Sequence, residues 1–272
     1  MSNVPSATEK FKSSNELPFD DHPELVFGLV GPIGVDLESV TESLTEALKD
    51  VAYEAQTLRI TELMREVDVG LPLDATGYVE SFQQRIAYAN KVREQLGRND
   101  ALAILAISAI REFRVKNGGS VEEPRSKQAY IIRQFKRPEE VKLLRAVYGK
   151  QFIQISAYAP QHYRIRRIAV KEAQSKRGLG APSDAENASN TLVKQDEVEH
   201  DMGHGQNVRD AFPLADLFVE APDKKSCKTT IARFIEALFG DNEKSPTHDE
   251  YGMLSQNTDV LRQPLSGYWR TF

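Results

Sequence analysis

A parallel α/β sheet covered by helices on both faces is the fold class this sequence predicts, on three observations. Short apolar runs alternate along the chain with longer runs of helical periodicity. The first apolar run, Leu25 to Val30, feeds a glycine-rich turn that opens a helix-like run, Leu37 to Lys49. The run Phe152 to Ala159 is almost continuously apolar, as a strand buried on both faces must be. Together they favour about five parallel strands joined by right-handed crossovers, with no internal repeat.

The elements follow in order. Residues 1–23 are rich in Ser, Asn, Lys and Glu and are expected to form a disordered arm. A single domain then spans 24–243. Val51 to Ile60 alternates enough to be a second strand. Tyr78 to Leu96 and Asp100 to Lys116 read as helices, the second with Ala101, Ile104, Leu105, Ser108 and Ala109 on one face and a cap at Asn99 or Asp100. Ala129 to Phe135 reads as a buried strand, and Pro138 to Tyr148 as a helix with Pro in its first turn and Gly149 at its end. Residues 173–206 turn polar and Gly-rich, the composition of a mobile lid or insertion. Order resumes at Val208. Ala215 to Glu220 reads as the last strand, and Lys224 to Phe239 as a closing helix with Ile231, Phe234, Ile235, Leu238 and Phe239 on one side. Residues 244–272 form a polar tail with aromatics at Tyr268, Trp269 and Phe272.

Composition narrows the function classes. At 272 residues and 40% hydrophobic content, the chain can bury one substantial core. No apolar run approaches the roughly 20 residues needed to span a bilayer, and the N-terminus lacks the apolar centre of a signal peptide. A single cysteine, Cys227, offers no disulfide framework, so a cytoplasmic location is expected. The net charge of −5 argues against a general nucleic-acid binder and leaves small anionic ligands open.

The turn after the first strand carries the most information. Gly28-Leu-Val-Gly31-Pro-Ile-Gly34-Val-Asp36-Leu-Glu38 has the strand–glycine loop–helix context of a P-loop. Such a loop binds phosphate because free backbone N–H groups and the positive helix end point at the anion. Anchored at Gly31, the pattern G-x-x-x-x-G-K-[ST] asks for Gly, Lys and Ser/Thr at 36, 37 and 38, where the chain has Asp36, Leu37 and Glu38. The cation that grips terminal phosphates and the hydroxyl that holds magnesium are both missing. Asp36 is either an ordinary N-cap, with Glu38 complementing the helix dipole, or an acid that repels phosphate unless a divalent ion bridges the two.

A second cluster, Arg164, Arg166, Arg167, Lys171, Lys176 and Arg177, is balanced by a single acid, Glu172. It reads either as a basic lid that closes over phosphates or as a solvated helix face; Arg166 and Arg167, being adjacent, cannot both face one pocket. The candidate nucleotide- or phosphate-binding residues are therefore Gly28, Gly31, Pro32, Ile33, Gly34, Val35, Asp36, Arg137, Arg164 and Arg167. No catalytic residue and no metal ligand is assigned. His200 and His204 are separated by glycine, which removes the helical geometry that a spacing of four would need. His22-Pro-Glu24 spells the H-x-E of zinc nucleobase deaminases, but one cysteine cannot supply the P-C-x-x-C that must follow.

Several stretches together resemble one family. Phe27-Gly-Leu-Val-Gly-Pro-Ile-Gly34, Ile131-Ile-Arg-Gln-Phe-Lys-Arg-Pro-Glu-Glu-Val-Lys-Leu-Leu-Arg145, Ala157-Tyr-Ala-Pro160, Gly205-Gln-Asn-Val-Arg-Asp210, Leu214-Ala-Asp-Leu-Phe-Val219 and Thr247-His-Asp-Glu-Tyr-Gly-Met253 look like the N-terminal half of bacterial anti-phage dCTP/dCMP deaminases. The resemblance implies a P-loop, deoxynucleotide-kinase-like domain that in the family precedes a zinc deaminase domain. The zinc ligands and the proton-shuttling Glu of that second domain have no counterpart here, and 244–272 reads as its threshold. The expected role is thus a nucleotide-binding sensor or regulatory module, with a deoxynucleotide or NTP as ligand and magnesium arriving with it. Two alternatives stand beside it: an active deoxynucleoside monophosphate kinase in which Arg137 and the lid arginines replace the lysine, and a scaffold that holds a deaminase subunit or forms homo-oligomers through the tail aromatics.

Overall fold

The computed structural model describes residues 22–176, 182–198, 204–222 and 224–239. The expected arm, apart from its last two residues, lies outside them, as do the tail 244–272, His200, and residues 177–181 and 199–203 of the expected lid, Arg177 of the basic cluster among them. Five parallel strands form the sheet: β1 (Leu25–Val30), β2 (Glu54–Arg59), β3 (Gln128–Phe135), β4 (Phe152–Tyr158) and β5 (Leu217–Glu220), in the order β2-β3-β1-β4-β5. The expected α/β class, a sheet of about five parallel strands with helices on both faces, is the one observed. β1 is central, so the turn leaving it emerges in the middle of the sheet's carboxyl edge, where open α/β sheets place their ligands.

One face is covered by α1 (Leu37–Asp50) and α9 (Lys224–Leu238). Val40, Leu44 and Leu48 recur at helical spacing on α1 and meet Cys227, Ile231 and Ile235 of α9 and Phe27 and Leu29 of β1, all of them fully or nearly fully buried. The opposite face is covered by α2 (Ile60–Leu63), α3 (Tyr78–Leu96), α4 (Ala101–Lys116), α5 (Pro138–Tyr148) and α8 (Val208–Ala211). On α4 the expected stripe is corrected: Leu102, Ala106 and Ile110 are buried and Ser108 is exposed. The helix is apolar over most of its circumference, so periodicity alone does not single out the side that meets the sheet.

The stretch 173–206 also departs from its composition. α6 (Gln161–Ser175) runs into it, and α7 (Pro182–Val198) lies within it, packed against α6 and α3. Leu192 and Val193 of α7 are fully buried in a small third cluster with Ile33, Val79, Ile86 and Ile168. The described part of the expected lid is thus a docked helix, held by two apolar residues that a polar average conceals. Among the described residues, no helix is long and apolar enough to cross a membrane.

Candidate phosphate-loop site

The loop runs from Gly31 to Asp36, between β1 and α1. Gly34 sits at φ +87°, in the left-handed region, and a Cβ there would lie 2.8 Å from both the Cβ and the carbonyl oxygen of Arg164. Only glycine lets α6 rest directly on the loop. Gly31 passes close to the end of β4, where a Cβ would meet the Ala157 carbonyl oxygen at 3.0 Å. Gly28 lies inside β1 against the Phe152 ring, a packing position rather than a ligand position.

Asp36 is the N-cap of α1. Its carboxylate accepts from the Ser39 N–H at 3.2 Å and the Ser39 hydroxyl at 2.9 Å, and it pairs with Arg167 at 2.7 Å. Burial works against ionisation of Asp36, but the Ser39 donors and the Arg167 guanidinium outweigh it and hold the carboxyl below the ordinary aspartate value. Leu37, which takes the lysine position, is buried in the α1–α9 core. Glu38, which takes the hydroxyl position, pairs with Arg133 of β3 at 2.5 Å and Arg59 of β2 at 3.5 Å. The Arg133 hydrogen bond, stronger than the opposing effect of burial, keeps Glu38 below the ordinary glutamate value.

The remaining contacts centre on two residues given no role in the sequence reading. Lys136, just past β3, donates from Nζ to the Gly31 carbonyl at 3.0 Å and to Asp196 Oδ1 at 3.2 Å. Asp196, on α7, accepts the Ile33 N–H through Oδ2 at 2.8 Å. The Asp196 side chain is 2% exposed and that of Lys136 11%, so the pair is sealed from water. Gln134 Nε2 also donates to the Gly31 carbonyl, at 2.7 Å. A carboxylate of the chain itself therefore takes a loop amide that the sequence reading left for phosphate. Lys136 stood within the recognised run 131–145, but nothing in sequence ties it to a residue 60 positions away.

Of the predicted arginines, Arg164 and Arg167 are brought to the loop, and all three, Arg137 included, have a protein partner. Arg164 is buried and donates to the Ile33 carbonyl at 3.3 Å. Arg167 pairs with Asp36, while neighbouring Arg166 is exposed, as their adjacency requires. Arg137 is separated from them: it binds the Gly205 carbonyl and Glu139, anchoring the 204–207 segment beside α5. Below it Arg93 and Glu140, both fully inaccessible, pair at 2.9 Å, and Glu140 also accepts the Lys136 and Arg137 N–H groups. Glu172, the lone acid of the basic cluster, accepts the Val79 N–H at 2.8 Å and so caps α3 from α6, with Ser175 taking the Tyr78 N–H. A cleft of about 280 Å³ lies beside this junction, lined in part by Gly77, Gln83, Ala188 and Thr191 of α3, α7 and the turn before α3.

At the mouth of the loop, Arg59, Arg133, Arg167 and Lys171 surround Asp36 and Glu38, giving four cations to two acids. Lys171 lies 5.4 Å from the centre of the Tyr78 ring, and burial followed by the charge of Arg167 lowers its proton affinity. Glu24 of the H-x-E triplet is bound to Arg114 and to the Arg125 N–H at the opposite edge of the sheet. His204 Nδ1 lies 2.9 Å from the Asn99 amide oxygen.

No protein-family model matches the chain, and no curated protein matches it. Among solved structures, the chain is similar to an uncharacterized protein from Eubacterium ventriosum ATCC 27560, with TM-score 0.40 and 15% identity over 78% of this chain and 98% of that one. It is similar also to shikimate kinase from Bacteroides thetaiotaomicron, with TM-score 0.40 and 8% identity over 79% of this chain and 98% of that one.

Proposed function

We propose that the chain is a nucleotide-responsive regulatory module without phosphoryl-transfer activity, acting beside a deoxycytidine nucleotide deaminase domain or subunit as the family resemblance implies. The observation that carries this reading is the state of the loop. Its backbone is still arranged to meet an oxyanion, with the Ile33 N–H and the Lys136 ammonium converging on one carboxylate, while Leu37 is built into the core and Glu38 into an arginine pair. Anion recognition is supported and phosphoryl transfer is not, since transfer needs a cation on the terminal phosphate and a hydroxyl on magnesium. The surplus of cations at the mouth adds long-range attraction for a phosphate chain. Asp36 and Glu38 are both engaged by guanidinium groups, a poor fit to a resident magnesium ion, so no step is assigned to the metal.

Calorimetric titration of the full chain with dCTP, dTMP, ATP and GTP, each with magnesium, tests the reading. Saturable binding of at least one nucleotide is the expected outcome, and silence toward all four ends it. A phosphotransfer assay is expected to show no turnover; measurable turnover would return the chain to the kinases.

A further inference from the structure

We infer that Asp196 is an internal stand-in for phosphate and that a phosphoryl oxyanion entering the glycine loop must displace it, unseating α7. This deepens the proposed function and rests on it for the identity of the natural ligand. The chemistry is in the donor set. A P-loop holds a phosphate oxygen with main-chain N–H groups and one lysine ammonium. Here the Ile33 N–H meets Asp196 Oδ2 at 2.8 Å and Lys136 Nζ meets Oδ1 at 3.2 Å, so one carboxylate bridges a loop amide and an ammonium. The lysine absent from the loop is replaced in space by one arriving from β3, fixed there by the Gly31 carbonyl at 3.0 Å.

The same donors do not serve two anions at once. A phosphate sharing these donors would stand next to a buried carboxylate, and like charges in a dry site strongly exclude one another. Asp196 must therefore leave as phosphate enters. It cannot leave alone: Leu192 and Val193, on the preceding turn of α7, pack with Ile33, Val79, Ile86 and Ile168. Departure of the carboxylate pulls on the helix that lines the cleft with Ala188 and Thr191, next to the Glu172 cap of α3. Loop occupancy is thus converted into a change at the α3–α6–α7 junction. The carboxylate also sets the affinity, because a ligand binds only the fraction of molecules in which the loop is open.

Equilibrium dialysis of the full chain with inorganic pyrophosphate separates the possibilities. Asp196→Asn keeps the shape and removes the charge, and is expected to bind pyrophosphate about tenfold or more tightly than the unmodified chain. Lys136→Met is expected to abolish that gain when combined with it. In the unmodified chain, saturating pyrophosphate is expected to speed amide exchange over 188–196, a readout that stands even if Asp196→Asn does not fold. Equal affinity of the Asn variant and the unmodified chain, a gain that survives Lys136→Met, or unchanged exchange in α7 at saturation would each overturn the gate. The two readings fail separately. Nucleotide binding with unaltered α7 exchange removes the gate and leaves the proposed function. Pyrophosphate binding through Lys136 in the Asn variant, with no nucleotide binding by the unmodified chain, keeps the gate and removes the function.

Discussion

The face under α1 and α9 and the surroundings of the glycine loop are held by different forces. Under α1 and α9 the contact is apolar: Leu44, Leu48, Ile231 and Ile235 are shut away from water, and charges meet only at the rim, as Lys224 with Glu42 and Lys228 with Glu46. Around the glycine loop the apolar cluster is small and the charges lie inside, with Lys136 on Asp196, Arg93 on Glu140 and Glu172 on the start of α3. An apolar contact is non-directional and tolerates a swap that nearly conserves volume. A buried ion pair is directional, and removal of one partner strands the other. The α1–α9 side therefore serves to hold the fold, and the loop side to hold one geometry.

The largest break in this contrast is expected from Glu140→Ala. It strands a fully buried Arg93 and releases two main-chain N–H groups, at a cost of about 3–5 kcal/mol read from urea unfolding. A loss below about 1 kcal/mol would mean that water reaches Arg93 and that the ionic layer is not sealed. The sharpening partner on the other side is Ile231→Val, which removes one methylene from a fully buried position and is expected to cost about 1 kcal/mol with an unchanged denaturant slope. If the valine variant matched Glu140→Ala, the apolar layer would be as exacting as the ionic one and the contrast would fail.

The same division decides what the sequence discloses. α1, α3, α5 and α9 were legible because their signals are local: apolar spacing, a first-turn proline, a glycine after the last turn. The Asp36 cap, one of the two readings the sequence left open, is local as well, since Ser39 lies three residues on. The partners that shape the site are not local. Arg167 reaches Asp36 across 131 positions, and Asp196 reaches Ile33 across 163. α7 departs from the polar average of its stretch because Leu192 and Val193 dock it and the polar Ser189 and Asp196 are buried beside them. A glycine loop can be found in sequence by its backbone needs; what fills it depends on which distant side chain the topology brings there.

Acid separates the layers without mutation. Asp36, Glu38 and Glu172 all have carboxyl groups lowered in the fold: for Asp36 and Glu172 burial opposes ionisation but is outweighed by hydrogen bonds and a nearby cation, and for Glu38 the Arg133 hydrogen bond leads. A carboxyl lowered in the folded state contributes stability that is fully present above its unfolded value. That contribution is lost as pH falls through the folded value. Unfolding free energy set by these groups is therefore expected to be level above the ordinary carboxylate values of 3.8 and 4.5 and to decline below them. Arg167→Met removes the cation from Asp36, so the variant is expected to lose part of that acid-dependent slope while its stability near neutrality falls. Glu46, also lowered by its hydrogen bond to Lys228, belongs to a half-exposed pair, so solvent screening weakens its contribution to the slope. A variant whose acid limb superimposed on that of the unmodified chain would show that Asp36 is held by Ser39 alone, and that α6 rests on the loop through Gly34 without an ionic tie.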